Sequence, residues 1–413
     1  MEIVIINQPL NNRGDEAAHK SLIRSLNKEF KEAIINIIFV GSNQNSINQF
    51  TIKNSKNSYI NIQAFKWHGP FVRIGLKYNL LKLFCLIHPS HRKVAKLIKT
   101  ADVVICAPGG VCMGPYQNWG HLWFLRLALN LNKKLVYYSR SFGPFPITTK
   151  NQRTFRRISI NTLKRIDFLS LRDNVSQSYA DDLNLRYIKS IDTAFLDTPK
   201  VEIPENLNTE IGKCYIVFVP NELTWHPQFK NIDITSLEIF YLSIIRLLLD
   251  ARKDVNIVML PQLFNYKNGN DIDYFRLLYK KIGNPRVKVI SDQYSSDIQQ
   301  AIISKSLYLI GARYHSVVFS INNQIPFTAL SYEHKISGLL EMLELNSNLI
   351  DLSFFLETNE EKRNHEITNA LREVKKRIEN SLFQKQKYKL EQARETAIIC
   401  KKELVQFVEH LPH

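Results

Sequence analysis

Arginines and histidines recur where apolar runs stop. In Leu309-Ile-Gly-Ala-Arg-Tyr-His-Ser-Val-Val-Phe-Ser320, Arg313 and His315 stand between an apolar run, Leu307–Ile310, and an apolar helical pattern. After the next run, Phe327–Leu330, comes Ser331-Tyr-Glu-His-Lys335, which adds His334 and Lys335. Arginine presents a planar fork that grips carboxylate or phosphate with two hydrogen bonds. Histidine is the natural proton donor and acceptor near neutral pH. The chemistry suggested is capture of a small anion with proton transfer beside it; a capping or core-satisfied His315 is the competing reading. Leu169-Ser-Leu-Arg-Asp173 ends another run in Arg172 and Asp173, which suits an anion site or a structural Arg–Asp pair. Asp192, in Ile191-Asp-Thr-Ala-Phe195, marks a further strand end.

Glycine-bearing turns follow the earlier runs. Asn11-Asn-Arg-Gly-Asp-Glu16 opens a helical pattern, where Gly14 permits a tight turn and the amides of the helix start could hold an anion or a sugar hydroxyl. An ordinary turn with Asp15 as the cap is the alternative. Ala107-Pro-Gly-Gly-Val-Cys-Met-Gly114 carries Gly109 and Gly110, which would let backbone approach a ligand, or simply turn the chain. Tyr138-Ser-Arg-Ser-Phe-Gly-Pro-Phe145 offers Ser139, Arg140 and Ser141 as donors to a phosphate or sugar, again beside a plain Gly-Pro turn. Asp15, Glu16 and Glu222 are the carboxylates available to activate a hydroxyl.

These motifs need strand ends to hold them. Strands are predicted at Glu2–Gln8, Ala33–Val40, Val103–Ala107, Leu135–Ser139 and Phe168–Leu171, with helices at Asp15–Phe30, His121–Leu131 and Gln152–Arg165 between them. A second series runs through Tyr215–Pro220, Asn256–Leu260, Val287–Ile290, Leu307–Ile310 and Phe327–Leu330, with helices at Ser236–Ala251, Asp271–Ile282 and Ser296–Lys305. Ile367, Leu371, Val374, Ile378 and Leu382 mark a C-terminal helix. Alternation of this kind implies parallel sheets covered on both faces. The expectation is an α/β protein of two doubly wound Rossmann-like domains facing a cleft. The N-terminal α/β domain covers 1–197, an aperiodic linker 198–212, the C-terminal α/β domain 213–352 and a helical segment 353–413. In such sheets ligands sit beyond the carboxyl ends of the strands, where the motifs fall.

The chain has 413 residues, enough for two domains, and carries a net charge of +17. From Ala33 to Ala101 there is no Asp or Glu, yet Lys53, Lys56, Lys66, Arg73, Lys77, Lys82, Arg92, Lys93, Lys96 and Lys99 supply +10 of that charge. Within it, Arg73–Ile87 is apolar with interspersed cations, which suits an anionic bilayer surface or a core helix with snorkelling lysines. No zinc-finger, RNP-like or basic-zipper pattern argues for nucleic acid. The five cysteines are scattered, with no metal or redox spacing, so a reducing cytoplasm and no metal are expected. Neither a secretory signal nor an apolar span is expected.

Taken in order, Asn12/Gly14/Asp15, Gly109/Gly110, Gly143/Pro144, Ser170/Arg172/Asp173, Asp192/Ala194/Phe195, Arg313/His315 and Tyr332/Lys335 resemble the polysaccharide pyruvyltransferase family. The resemblance implies a glycosyltransferase-B-like fold and phosphoenolpyruvate as donor substrate, with no cofactor. It also implies a pyruvate ketal built on a hexose of a cell-surface glycan, often a polyprenyl-diphosphate-linked intermediate. By resemblance Arg172 and Arg313 bind the donor and His315 is catalytic. Ser141 and Lys335 are assigned to the donor site, and Asp15 to catalysis. Asn12, Gly14, Glu16, Gly109, Gly110, Glu222 and His334 are assigned to the acceptor. Members often carry three glycines where this chain has Pro108-Gly109-Gly110. A cytoplasmic enzyme peripheral to the inner membrane face is expected. A nucleotide-sugar glycosyltransferase of the same fold is the main alternative, and a basic non-catalytic module for nucleic acid or anionic glycan is a weaker one.

Overall fold

The structure, a computed structural model, describes residues 1–8, 11–42, 44–62, 68–264, 270–381 and 390–411. Lys66 and Leu382, named above, lie outside the described residues. The chain divides into two compact units.

The first unit comprises Met1–Leu10, Asp15–Asp197 and Ala393–His413. Its seven strands are β1 (Glu2–Ile6), β2 (Ile34–Val40), β3 (Asn57–Ile62), β4 (Val103–Cys106), β5 (Lys134–Arg140), β6 (Phe168–Leu171) and β7 (Ile188–Lys189). They pair in parallel in the order β3-β2-β1-β4-β5-β6-β7. Side chains alternate across the sheet. Val4, Ile6, Val104, Cys106, Leu135 and Tyr137 meet Leu122, Leu125 and Phe155 on one face. Ile3, Ile5, Val103, Ile105, Val136 and Tyr138 meet Leu22, Leu26, Cys400, Leu404 and Val408 on the other. A sheet buried on both faces explains the continuous apolar runs of its central strands.

The second unit comprises Asn11–Gly14 and Thr198–Gln392. Its strands are β8 (Tyr215–Val219), β9 (Asn256–Met259), β10 (Val287–Val289), β11 (Leu309–Gly311), β12 (Phe327–Ser331) and β13 (Leu349–Asp351), parallel in the order β10-β9-β8-β11-β12-β13. In both sheets the order reverses direction beside the first strand of the unit, between β1 and β4 and between β8 and β11. Such a switch point splays the connecting loops apart and opens a crevice at the strand ends.

Two boundaries differ from expectation. The segment 198–212 is not wholly aperiodic: Glu205–Ile211 is a helix that buries Leu207 and Ile211, four residues apart on one face. The segment 353–413 is not one appendage. Helix Glu360–Ser381 belongs to the second unit, whereas Ala393–His413, most of it in helix Leu390–Glu409, covers the first sheet.

Candidate functional site

In the second unit the site is built on the carboxyl ends of β8, β11 and β12. Tyr314–Asn322 is a helix that starts three residues after β11, so Arg313 is its cap residue and His315 lies in its first turn. His315 is buried, and its ring packs edge-on to Tyr314 at 4.9 Å. Gly14 lies against it: a Cβ built on Gly14 would overlap the imidazole at Nδ1, Cγ and Cβ. Asn12 fixes Gly14 in place, its Oδ1 accepting from the Gly14 amide at 2.9 Å. Backbone pairing of Asn11 and Arg13 with Phe264 and Gln262 secures the segment. Gly14 therefore serves close packing of a side chain, and Asn12, rather than Asp15, caps the turn; Asp15 lies within the helix Arg13–Glu29.

Arg313 donates to Asp271, a buried carboxylate whose other oxygen accepts from the amides of Gln262 and Leu263 at 2.9 Å each. Burial works against the guanidinium charge, and Asp271 together with Tyr332 and Tyr241 more than offsets it, raising the Arg313 pKa. The guanidinium also stands 5.6 Å over the Trp225 ring, and Trp225 in turn packs edge-on to Tyr332. Lys335 pairs with Glu333 at 3.2 Å, and His226 Nε2 lies 3.9 Å from the other Glu333 oxygen. Burial pushes the Glu333 carboxyl up, but Lys335, His226 and His334 together hold it below its ordinary value. Burial likewise lowers the pKa of His226. Arg313, His315 and Lys335 thus stand on neighbouring strand ends of one unit, two of them as cations already matched by carboxylates. His334 is exposed, and Glu222 accepts from Thr224 at 3.0 Å.

In the first unit Gly109, Ser141 and Arg172 are linked. The Ser141 amide donates to the Gly109 carbonyl at 3.2 Å, and Arg172 Nε donates to Ser141 Oγ at 3.3 Å. Arg172 is buried and pairs with Asp192, not with Asp173, which instead caps helix Asn174–Asp182 through the Ser176 amide. Arg140 is fully buried and donates to the carbonyls of Ala107, Pro108 and Gly110 and to Cys112 Sγ, so it ties down the turn that carries Gly109 and Gly110. Gly109 has φ +152°, open to glycine and strained for other residues. Glu16 is not presented to an acceptor: it is buried and paired with Lys20 at 2.8 Å. A cavity of about 240 Å³ opens beside these elements, lined in part by Gln8, Asn118, His121 and Arg140. Both amide atoms of Gln8 are buried without a partner among the described residues. Sequence reasoning missed this cavity, as it missed Asp271, Glu333, Trp225 and His226. Among the described residues no three His, Cys, Asp or Glu side chains converge as metal ligands would.

The geometry is that of an α/β protein with buried, carboxylate-paired arginines and a buried histidine near its strand ends, a description that fits many enzymes. Residues 12–334 match the sequence profile described as Polysaccharide pyruvyl transferase. The chain belongs to that family. The profile takes in parts of both units and the site residues from Asn12 to His334. The chain is 24% identical over 392 residues to the amylovoran biosynthesis protein AmsJ of Erwinia amylovora, covering 86% of this chain and 89% of AmsJ. Solved structures with the same fold include the UDP-GlcNAc 2-epimerase of Methanocaldococcus jannaschii (TM-score 0.59, 12% identity, 98% of this chain and 100% of that one). Another is the UDP-GlcNAc 2-epimerase of Neisseria meningitidis bound to UDP-GlcNAc (TM-score 0.55, 11% identity, 98% and 100%). At these identities the likeness shows the fold alone, two parallel α/β sheets of the glycosyltransferase-B-like kind. Among the described residues, no helix is long and apolar enough to cross a membrane.

Proposed function

We propose that this pyruvyl transferase moves the pyruvyl group of phosphoenolpyruvate onto two hydroxyls of a hexose, in a cell-surface polysaccharide such as a capsule or exopolysaccharide, or in its lipid-linked precursor. The observation that carries the proposal is the placement of Arg313 and His315 at the end of β11, with the His315 ring held against Gly14. A carboxylate and a phosphate on one small donor match cations already arranged for anions, Arg313 and Lys335, which would exchange Asp271 and Glu333 for the ligand. Arg172 has the same role by family resemblance.

His315 delivers a proton to the methylene carbon of the donor, which leaves oxocarbenium character at the neighbouring carbon. One sugar hydroxyl adds there, the C–O bond to phosphate breaks, and a second hydroxyl closes the ring. The balance holds: one acceptor proton ends on the new methyl group by way of the histidine, the other on the departing phosphate. No cofactor is invoked. The Gln8-lined cavity supports a seat for a sugar, since an amide with both ends unpartnered can donate to and accept from hydroxyls. The enzyme works in the cytoplasm, at the inner membrane face where lipid-linked acceptors are found.

Phosphate release from phosphoenolpyruvate, measured with and without a panel of water-soluble hexosides, tests the reaction. Release that depends on acceptor, with a product heavier by one pyruvic acid less water, is expected. Release that no acceptor stimulates, together with donor binding that survives Arg313→Ala, would overturn it.

A further inference from the structure

Among the described residues the three most exposed large apolar side chains are Tyr78 (70%), Leu86 (67%) and Ile87 (61%), all within one short stretch of the first unit. After helix His68–Lys77 the chain turns at Asn79, in a left-handed conformation, and helix Leu81–Ile87 begins two residues later. The latter helix turns Leu81, Phe84 and Cys85 into the core. Leu83, Leu86 and Ile87, spaced by three and four, therefore form a second apolar stripe on its outer side. Ile74 and Tyr78 of the preceding helix and turn are exposed as well. A helix that is apolar all round is ordinarily buried all round; this one is covered on one side only.

The surrounding charge has one sign. Lys82 lies on the same helix, and Arg92, Lys93, Lys96 and Lys99 are exposed on helix Pro89–Thr100, which packs against it. No acidic residue occurs between Ala33 and Ala101. Nucleic acid would use the cations but not the leucine and isoleucine stripe; a protein core would use the stripe but has no need of a ring of cations. An anionic bilayer uses both, its headgroups meeting the cations and its acyl boundary the apolar side chains.

We infer that Tyr78, Leu83, Leu86 and Ile87 form a wedge that enters the interfacial region of an anionic lipid bilayer, with Lys82 and the cations of helix Pro89–Thr100 on the headgroups. The inference deepens the membrane-face location proposed above, and it stands apart from the pyruvyl reaction.

Flotation of the full-length protein with vesicles of phosphatidylcholine and phosphatidylglycerol at low salt tests it. The wild type floats with these vesicles, not with phosphatidylcholine alone, and is released by salt. The pair Leu86→Glu and Ile87→Glu, at exposed positions, lowers the bound fraction by about tenfold or more while melting and phosphate release on a soluble hexoside stay at wild-type values. Ile147→Glu and Ile239→Glu, at exposed positions elsewhere, bind as the wild type does. Absence of wild-type flotation, or unchanged flotation of the double variant, would overturn the wedge. So would a concentration-dependent dimer abolished by the double variant without any vesicle binding, since a second copy would then be the occupant. Flotation without phosphate release would leave the wedge and remove the reaction.

Discussion

Gly14 and His315, 301 positions apart in the sequence, lie in van der Waals register: the imidazole occupies the volume that any side chain at position 14 would need. The ring is positioned from one side by its own helix and from the other by a backbone that presents no Cβ.

Gly14→Ala should therefore displace His315 and act as a partial histidine knockout. Removal of the proposed proton donor, in His315→Ala, is expected to lower turnover by about 10²–10⁴-fold. Gly14→Ala should fall in the lower part of that range, with an overpacking cost of about 1–3 kcal/mol. Steady-state phosphate release beside thermal melts separates the two effects, and wild-type turnover in Gly14→Ala would remove the positioning role.

Arg313 and Asp271 should separate by function. Arg313→Ala takes away a cation proposed to bind the donor, so binding of phosphoenolpyruvate in calorimetry is expected to be lost. Asp271→Asn keeps a side-chain oxygen that can accept from the Gln262 and Leu263 amides but leaves Arg313 without its counter-charge. Breaking a buried pair in this way costs about 3–5 kcal/mol, which urea unfolding would read directly.

Glu16 should prove a stability residue. Glu16→Ala takes from the buried Lys20 its carboxylate and leaves it the Gln49 carbonyl, with an expected cost of about 3 kcal/mol, whereas Glu16→Leu combined with Lys20→Met should restore most of it. An acceptor KM raised in the folded double variant would instead return Glu16 to the acceptor site.

Acid should destabilise the first unit through histidine. His19 is buried with Nε2 2.6 Å from the Pro108 carbonyl, and burial lowers its pKa to about 4. A folded pKa below the unfolded value of about 6.5 means that the unfolded chain binds the extra proton between those limits. The contribution is present above pH ~6.5 and is lost as pH falls toward ~4, amounting to about 3 kcal/mol. His121, held well below its ordinary pKa by burial, acts in the same direction. Urea unfolding between pH 7.5 and 5 should show stability falling with acid, and His19→Gln should flatten the slope. An unchanged slope would assign the acid sensitivity elsewhere.

Much of this was legible from residue types because a doubly wound sheet writes its central strands as apolar runs. The strands not foreseen are at sheet edges or are very short: Asn57–Ile62 alternates polar residues with Tyr59, Ile60 and Ile62, Ile188–Lys189 has two residues, and Leu349–Asp351 three. The cations, His315 and Gly14 were legible as chemistry at strand ends. Their partners were not, because pairing is decided by the fold: Asp271 lies 42 positions from Arg313, and Asp192 lies 20 from Arg172 with the equally acidic Asp173 adjacent in sequence. The periodicity of 353–413 announced helices without saying which sheet each would cover.

That last point reaches into biosynthesis. Cys400, Leu404 and Val408 complete one face of a sheet whose first strand is Glu2–Ile6. On the ribosome, the first unit must wait with that face partly open while residues 198–392 are translated. A nascent chain stalled before residue 393 has Leu22 and Leu26 on that face but not Cys400, Leu404 and Val408, which leaves an apolar surface for chaperones to hold and for quality-control proteases to find.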